Sequence, residues 1–358
     1  MSYLVKNIKW SAFTVGHFLL LSVLIACNRT PQVSQTLSLS GSAMGTQYHI
    51  KVISDEYQAE QLQSAVDSIL HLFNGAVSTY DSTSIVSKFN RNIINIDSFK
   101  SNANDFELHQ LEQFLKVCYR SFDIYAASGG AFDPGAGPIY TAWGFAEQKA
   151  FKVPTQQYID SCLAFAKYSQ LELLDGIPVK KDKRLALNFN AIAKGYGVDV
   201  VANYLEELGI ENYMVEIGGE VRCKGKNQYH EFWTIGINVP SASAKPDEAQ
   251  AVLKIKDRSL ATSGNYRQFF EENGRKYAHT IDPRTGYPAK NELLSASILA
   301  NDCMTADAYA TACMVVGRNK CMDMVSKDTT LDAFLLFTDD KGYIQIDHTK
   351  RVAGLLVK

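Results

Sequence analysis

The sequence predicts an α+β fold, with helices and strands mixed along the chain and no regular strand–helix–strand alternation. Three observations carry that prediction. Gln47–Ile53 alternates in steps of two, Ala59–Val77 carries apolar side chains at helical spacing, and the C-terminal half is a series of short strands separated by turn residues.

In order, Tyr48, Ile50 and Val52 share one face of the first strand, and Leu62, Val66, Ile69, Leu70 and Phe73 line the first helix. A second helix is expected over Asp105–Arg120, followed by a Gly/Pro-containing stretch, Ser128–Phe145, too irregular for either regular element. Lys194–Leu208 is helical, with Tyr196, Val200, Tyr204 and Leu208 on one stripe. Short strands are expected near Tyr213–Ile217, Trp233–Asn238, Ala251–Ile255 and Lys276–Ile281, with Glu272-Asn273-Gly274-Arg275 as a hairpin turn. Asn238–Gln250, rich in Ser, Ala and Pro, reads as a surface loop. Asp302–Val316 reads as a helix and Asp332–Ile346 as a closing strand pair around Asp339-Asp340-Lys341-Gly342.

The 358 residues are enough for one large domain, and 46% hydrophobic with 21% charged residues is ordinary for a folded protein. A net charge of −2 offers no basic field for a nucleic-acid backbone, so that partner class is excluded.

The N-terminus departs from this average. Lys6 and Lys9 precede an apolar run over Ser11–Ala26 that ends in Leu24-Ile25-Ala26-Cys27, the pattern of a secretory signal peptide over residues 1–26. The run is too short and interrupted for a comfortable membrane span. Leu-Ile-Ala-Cys resembles a bacterial lipobox, which makes Cys27 a lipidation site and the protein exported, held to a bacterial membrane and facing the periplasm. Residues 27–40, polar and containing Pro31, are expected to be a lipidated cysteine and flexible tether, with the folded domain over 41–358. Six further cysteines, Cys118, Cys162, Cys223, Cys303, Cys313 and Cys321, form no CxxC pair and lie near no His in zinc spacing; they are expected to be mostly buried and structural. Export permits disulfides among them, but spacing does not give the pairing.

Four irregular segments combine glycines with polar groups. Ala131–Pro138 has two prolines and two glycines and suits a sharply turned loop against a ligand, or equally a structural turn capping a helix. Leu187–Gly197 runs from a strand into a helix start, where free N–H groups and Lys194 favour an anion; an ordinary strand–helix junction explains it as well. His279 ends a strand just before the Pro283/Gly286 turn, a position suited to a general base and also to a hydrogen-bonded structural histidine. Asp307 and Thr311 lie four apart on one helical face among alanines. They are hard oxygen donors suited to Mg2+, or else a helix-start charge and a core-facing hydroxyl.

Taken in this order, these segments resemble the FAD:protein FMN transferases, the ApbE family. The likeness begins at Met44-Gly45-Thr46 and continues through Ser78–Asp81, Ser87–Asn90, Ala131–Pro138, Ala191–Gly195 and Val215–Glu220. It closes with Ala261–Tyr266, His279–Gly286 and Ala306–Ala312. The resemblance implies a single compact domain of two mixed α/β halves with FAD in the cleft between them. It implies that Met44, Tyr80, Ala131, Phe132, Asp133, Asn188, Lys194 and Ile281 line the FAD. The Ala191 carbonyl with Asp307 and Thr311 would hold Mg2+, and His279 matches the catalytic histidine. Two positions depart from the family pattern. Asn188 stands where many members carry aspartate, and Ala310 where some place a further acidic ligand, so that coordination would lean more on water or phosphate.

The implied reaction is Mg-dependent transfer of FMN from FAD to a Thr or Ser hydroxyl of a partner flavoprotein, a subunit of a membrane electron-transfer complex, with release of AMP. Two other activities use the same residues differently: FAD pyrophosphatase, with water as the acceptor, and a non-catalytic FAD-binding lipoprotein.

Overall fold

A computed structural model describes residues 35–145, 153–240, 248–265, 269–272, 275–278 and 280–357. The expected signal peptide, Cys27, His279 and the expected Asn273-Gly274 turn lie outside the described residues.

The first unit is a hairpin, β1 (Thr36–Ala43) and β2 (Thr46–Ile53), closed by Met44 and Gly45 with φ of 54° and 75°. Two positive φ values match the right-handed strand twist, so this is the turn that joins adjacent strands most tightly. The expected tether therefore ends earlier than Ser40: Thr36–Ser40 pair with His49–Ile53, and Leu37 and Leu39 are buried. Helix α1 (Ala59–Val77) has the predicted bounds and buries Leu62, Val66, Leu70 and Phe73. Two short helices not foreseen, α2 (Ile85–Asn90) and α3 (Ile96–Asn102), are N-capped by Ser84 and Asn95. Helix α4 (Asp105–Ala127) starts at a reciprocal Asn104/Glu107 capping box and runs two turns past Arg120. The stretch expected to be irregular contains α5 (Gly137–Ala142), where Pro138 fits because a first-turn N–H has no helical partner to lose. Helix α6 (Gln156–Leu163) and the small hairpin β3 (Leu171–Leu174)–β4 (Ile177–Lys180) follow.

Helix α7 (Ala193–Glu207) buries Val198, Val201, Ala202 and Leu205. The expected stripe is rotated: Val200, Tyr204 and Leu208 are only partly buried, because the helix packs between strands and a second helix rather than on one flat face. Then come β5 (Tyr213–Ile217), β6 (Glu220–Lys224), β7 (Trp233–Asn238), β8 (Ala249–Ile255), β9 (Arg258–Gly264), β10 (Phe269–Glu272), β11 (Arg275–Ala278), β12 (Ile281–Asp282), β13 (Tyr287–Pro288) and β14 (Leu293–Ala300). The chain ends with α8 (Cys303–Val316), α9 (Arg318–Ser326) and the hairpin β15 (Asp332–Thr338)–β16 (Ile344–His348).

The main sheet is antiparallel, in the order β1-β2-β5-β6-β9-β14-β15-β16. Helices α1, α7, α8 and α9 cover one face, and the β7–β8 hairpin packs on the other. Alternation on the strands assigns each residue to a side. On β15, Ala333, Leu335 and Phe337 join the core under the helices, while Phe334 and Leu336 join the cluster with Trp233, Leu253 and Ile255. A separate cluster gathers Ile139, Trp143, Ile159 and Ile281 from α5, α6 and β12. Residues 35–358 form one compact unit, and no described helix is long and apolar enough to cross a membrane.

Cys313 and Cys321, on α8 and α9, form a disulfide across the Gly317 turn. Cys118, Cys162, Cys223 and Cys303 are free and buried, as expected of structural cysteines.

Candidate functional site

Helices α7 and α8 are held together at their N-terminal ends by carboxylates. Asp199 on α7 accepts the N–H groups of Cys303 (2.9 Å) and Met304 (2.8 Å), and Asp302 accepts that of Thr305 (2.8 Å). Three first-turn donors of α8 are thus satisfied, and Arg222 balances the buried Asp199 from 3.0 Å. Burial pushes the Asp199 carboxyl up to about 6, against the pull of these N–H groups and Arg222.

The two helices approach closely at Gly195, where a Cβ would stand 2.3 Å from the Cys303 carbonyl oxygen and 2.7 Å from Asp307 Cβ. The Gly195 N–H donates to Asp307 Oδ2 at 2.9 Å. Gly195 is the third residue of α7, so its N–H is one of the first-turn donors with no intrahelical acceptor, and Asp307 satisfies it. Ala191 stands just ahead of the helix and lines the same cavity as Asp307. One turn further on, Thr311 Oγ1 lies 3.2 Å from Ser263 Oγ of β9. Among the described residues no three His, Cys, Asp or Glu side chains converge as metal ligands. The candidate donor set is instead one carboxylate, one hydroxyl and the Ala191 carbonyl. Such a mixed, oxygen-only set fits Mg2+, which keeps water or phosphate in its remaining positions.

These groups form one side of a cavity of about 470 Å3. Ala191, Lys194, Gly218, Glu220, Ser263, Asp307 and Thr311 line this side; Phe132, Asp133, Pro134, Tyr140 and Thr280 face them. Lys194 Nζ donates to Glu220 Oε1 at 2.9 Å. Burial would lower the lysine, but the Asp307 and Glu220 carboxylates outweigh it and hold the ammonium charged. Burial pushes the Glu220 carboxyl up, and Lys194 opposes it.

The opposite wall is fixed by close backbone packing. A Cβ on Gly135 would meet the Tyr168 N at 2.4 Å, and one on Gly137 the Ala186 carbonyl oxygen at 2.4 Å. The glycines of this loop therefore serve contacts with neighbouring chain, and the ligand-facing positions are Phe132, Asp133 and Pro134. Asp133 Oδ1 accepts N–H groups from Gly135 and Tyr168, both at 2.8 Å. Burial nevertheless pushes this carboxyl up to about 7. Asn188 donates its N–H to the Pro134 carbonyl and accepts that of Asn190 on its side chain.

Tyr80 is 62% exposed at the cavity's edge, with Asn190 Nδ2 3.4 Å from its hydroxyl. Beyond it lies a second hollow of about 580 Å3 that shares Tyr80 and Asn188 and is otherwise lined by residues such as Thr79, Ser82, Asn90 and Arg91. An exposed aromatic face between two adjoining hollows suits stacking on a planar ring of an elongated ligand.

Of the predicted site residues, the structure brings Tyr80, Phe132, Asp133, Asn188, Ala191, Lys194, Asp307 and Thr311 to one cavity. Met44, Ala131 and Ile281 are not among its lining residues. Met44 packs beside Gly197, Ala131 is buried next to Phe132, and Ile281 is buried next to Thr280. His279 falls outside the described residues, and its neighbour Thr280 lines the cavity. Sequence reasoning gave no role to Glu220, Ser263 or Tyr140. Glu220 had a signal, since a charged residue directly after Gly218-Gly219 opens a strand that should start apolar.

The ApbE family profile matches residues 44–335. A Vibrio cholerae protein named FAD:protein FMN transferase is 37% identical over 311 residues, covering 86% of this chain and 89% of its own. One of the same name from Haemophilus influenzae is 34% identical over 333 residues, covering 90% and 91%. Among solved structures, a flavin transferase ApbE from Vibrio cholerae superposes with a TM-score of 0.78 at 33% identity, covering 90% of this chain and all of that one. An apo flavinyl transferase ApbE from Pseudomonas stutzeri gives 0.76 at 28% identity, covering 90% and 97%.

Proposed function

The chain belongs to the ApbE family, and from that premise we propose that it is an FAD:protein FMN transferase that requires Mg2+. The observation that carries this reading is the meeting of Ala191, Asp307 and Thr311 in one cavity that also bears Lys194. A dinucleotide with a diphosphate at its centre needs this combination of cation ligands and a fixed positive charge.

Tyr80 would stack on a ring of FAD, and Phe132 and Asn188 would complete the enclosure. Lys194 would bear on the diphosphate oxygens as negative charge moves to the leaving group. Bound through Ala191, Asp307 and Thr311, Mg2+ would supply charge neutralisation between the phosphates. His279, assigned by its motif position, would accept the proton of the attacking Thr or Ser hydroxyl. The new phosphoester forms at the FMN phosphorus as its bond to the AMP oxygen breaks.

The acceptor is proposed to be a flavoprotein subunit of a membrane electron-transfer complex. Export and lipidation at Cys27 would bring the two to the same surface. The Cys313–Cys321 disulfide supports an extracytoplasmic setting, because such bonds persist where the compartment is oxidising. Labelling with radioactive palmitate that disappears in Cys27→Ala tests the anchor.

The test of the activity is incubation of residues 35–358 with FAD and Mg2+, with and without an acceptor subunit. AMP and protein-bound flavin appearing together, and only with the acceptor, are expected. AMP and free FMN without acceptor would make the protein a pyrophosphatase; no AMP in either case would leave a flavin-binding protein.

A further inference from the structure

Between β5 and β6 the chain turns through Gly218 and Gly219, both left-handed with φ of 62° and 104°. A Cβ on Gly218 would stand 3.2 Å from Lys194 Cδ, so the lysine stem runs directly over this turn. The first residue after it, Glu220, is 3% exposed. Its Oε1 accepts from Lys194, and its Oε2 is buried with no hydrogen-bond partner. A buried carboxylate with one oxygen unpaired is costly, and an apolar side chain at the head of β6 would pack at less expense. A lysine in the first turn of α7 also opposes the helix dipole. Neither feature serves stability.

Lys194 has two carboxylates acting on it, Glu220 and Asp307. Asp307 is the carboxylate read above as a cation ligand. An ammonium free to choose would pair with Asp307 and compete with the cation for it. We propose that Glu220 is the positioning residue of Lys194: it holds the ammonium at the side of the cavity and keeps it off Asp307, so that fixed and bound positive charges act on the diphosphate together. The inference rests on the reading of Asp307 and Thr311 as cation ligands.

The test compares the wild-type domain with Glu220→Gln, Lys194→Met and the double variant. Calorimetric titration with Mg2+ or Mn2+ alone, without FAD, is the first measurement, and AMP release the second. Glu220→Gln keeps the shape and removes the charge. It is expected to weaken cation binding about 10-fold, the scale seen when a partner of a ligand is lost, and to lower AMP release with it. Adding Lys194→Met removes the competitor, so the double variant should regain wild-type cation affinity while its turnover stays at the Lys194→Met level.

Glu220→Gln binding the cation as wild type does, or the double variant binding it no better than Glu220→Gln, overturns the proposal. Should Glu220→Gln not fold, Glu220→Asp, which draws the carboxylate back by one methylene, is read by the same rule. Wild type that binds no divalent cation would sink the metal reading itself. Wild type that binds the cation but releases no AMP would sink the transfer reading, and the binding comparison would still decide the role of Glu220.

Discussion

Replacing Gly195 with alanine separates the role of the α7–α8 approach from ordinary helix chemistry. Alanine is the better helix former by about 1 kcal/mol, so propensity alone predicts a more stable protein. The structure predicts the reverse. The new methyl would lie 2.3 Å from the Cys303 carbonyl oxygen, roughly 1 Å inside a normal contact of about 3.4 Å, and the obstacle is backbone that cannot rotate away. The helices must part by a similar distance. Overpacking of this kind costs about 1–3 kcal/mol, so the propensity gain is cancelled or outweighed, the net loss reaching about 2 kcal/mol and the melting point falling by up to a few degrees. The same movement stretches the Gly195–Asp307 hydrogen bond and separates Asp307 from Ala191. A misplacement of about 1 Å lowers a rate by about 100-fold. The control is Gly197→Ala on the same helix, where the Cβ would crowd the flexible Met44 side chain at 2.8 Å and touch Phe73 and Ile217 at ordinary distances of 3.5 and 3.6 Å, with no backbone in the way. Thermal melting and the Mg2+ dependence of AMP release are measured on both variants. If Gly195→Ala melts and responds to Mg2+ as Gly197→Ala does, the close approach does not set the cation site and the argument fails.

Other consequences follow from individual contacts. Asp133, held at about 7 by burial, binds its proton more tightly folded than unfolded, so it lowers stability as pH rises from about 4 to about 7. The shift from 3.8 corresponds to at most about 4 kcal/mol. Asp133→Asn keeps an acceptor for Gly135 and Tyr168, and urea titrations across this range should show it gaining on wild type toward pH 8; parallel curves would mean that Asp133 does not carry the shift. Asp307→Asn and Thr311→Val should each raise the Mg2+ needed for AMP release by about 10-fold or more, and EDTA should stop the wild-type reaction until Mg2+ is restored. His279→Ala should retain FAD, as read by flavin fluorescence, and lose transfer; transfer at the wild-type rate would remove it from the mechanism. Reducing Cys313–Cys321, eight residues apart, should cost about 2.5 kcal/mol by the loop-entropy estimate, and an unchanged melting curve in dithiothreitol would contradict it.

What was legible in the sequence follows from where each element sits. Helix α1 and strand β2 each bury one face, so their periods appear plainly, and both were bounded to within a residue. Strand β14 is covered by α8 on one side and by the β7–β8 cluster on the other. Seven of its eight residues are buried, and Leu293–Ala300, with Ser295 and Ser297 inside, carries no alternation to read. Strands β6 and β9 were missed for related reasons. Thr36–Ser40 resembled a linker because its serines face outward and only Leu37 and Leu39 anchor it. Asp307 and Thr311, which line one cavity, could be paired in the sequence because a helix fixes their mutual placement from spacing alone. Ser263 and Glu220 reach the same cavity from β9 and β6, and no local pattern relates those strands to α8.

The site therefore depends on glycine as much as on its charged groups. Gly195 lets α8 come close enough for Asp307 to take a first-turn backbone donor of α7. Gly218 lets the Lys194 stem cross the β5–β6 turn, and the chain beyond it delivers Glu220 beneath the ammonium. Gly135 and Gly137 bring the facing wall against Tyr168 and Ala186 so that Phe132 and Asp133 point inward. In each place a methyl would meet backbone or a side-chain stem with nowhere to go. Loss of function from alanine at these positions should therefore reflect displaced charged groups, with little change in what the cavity is made of.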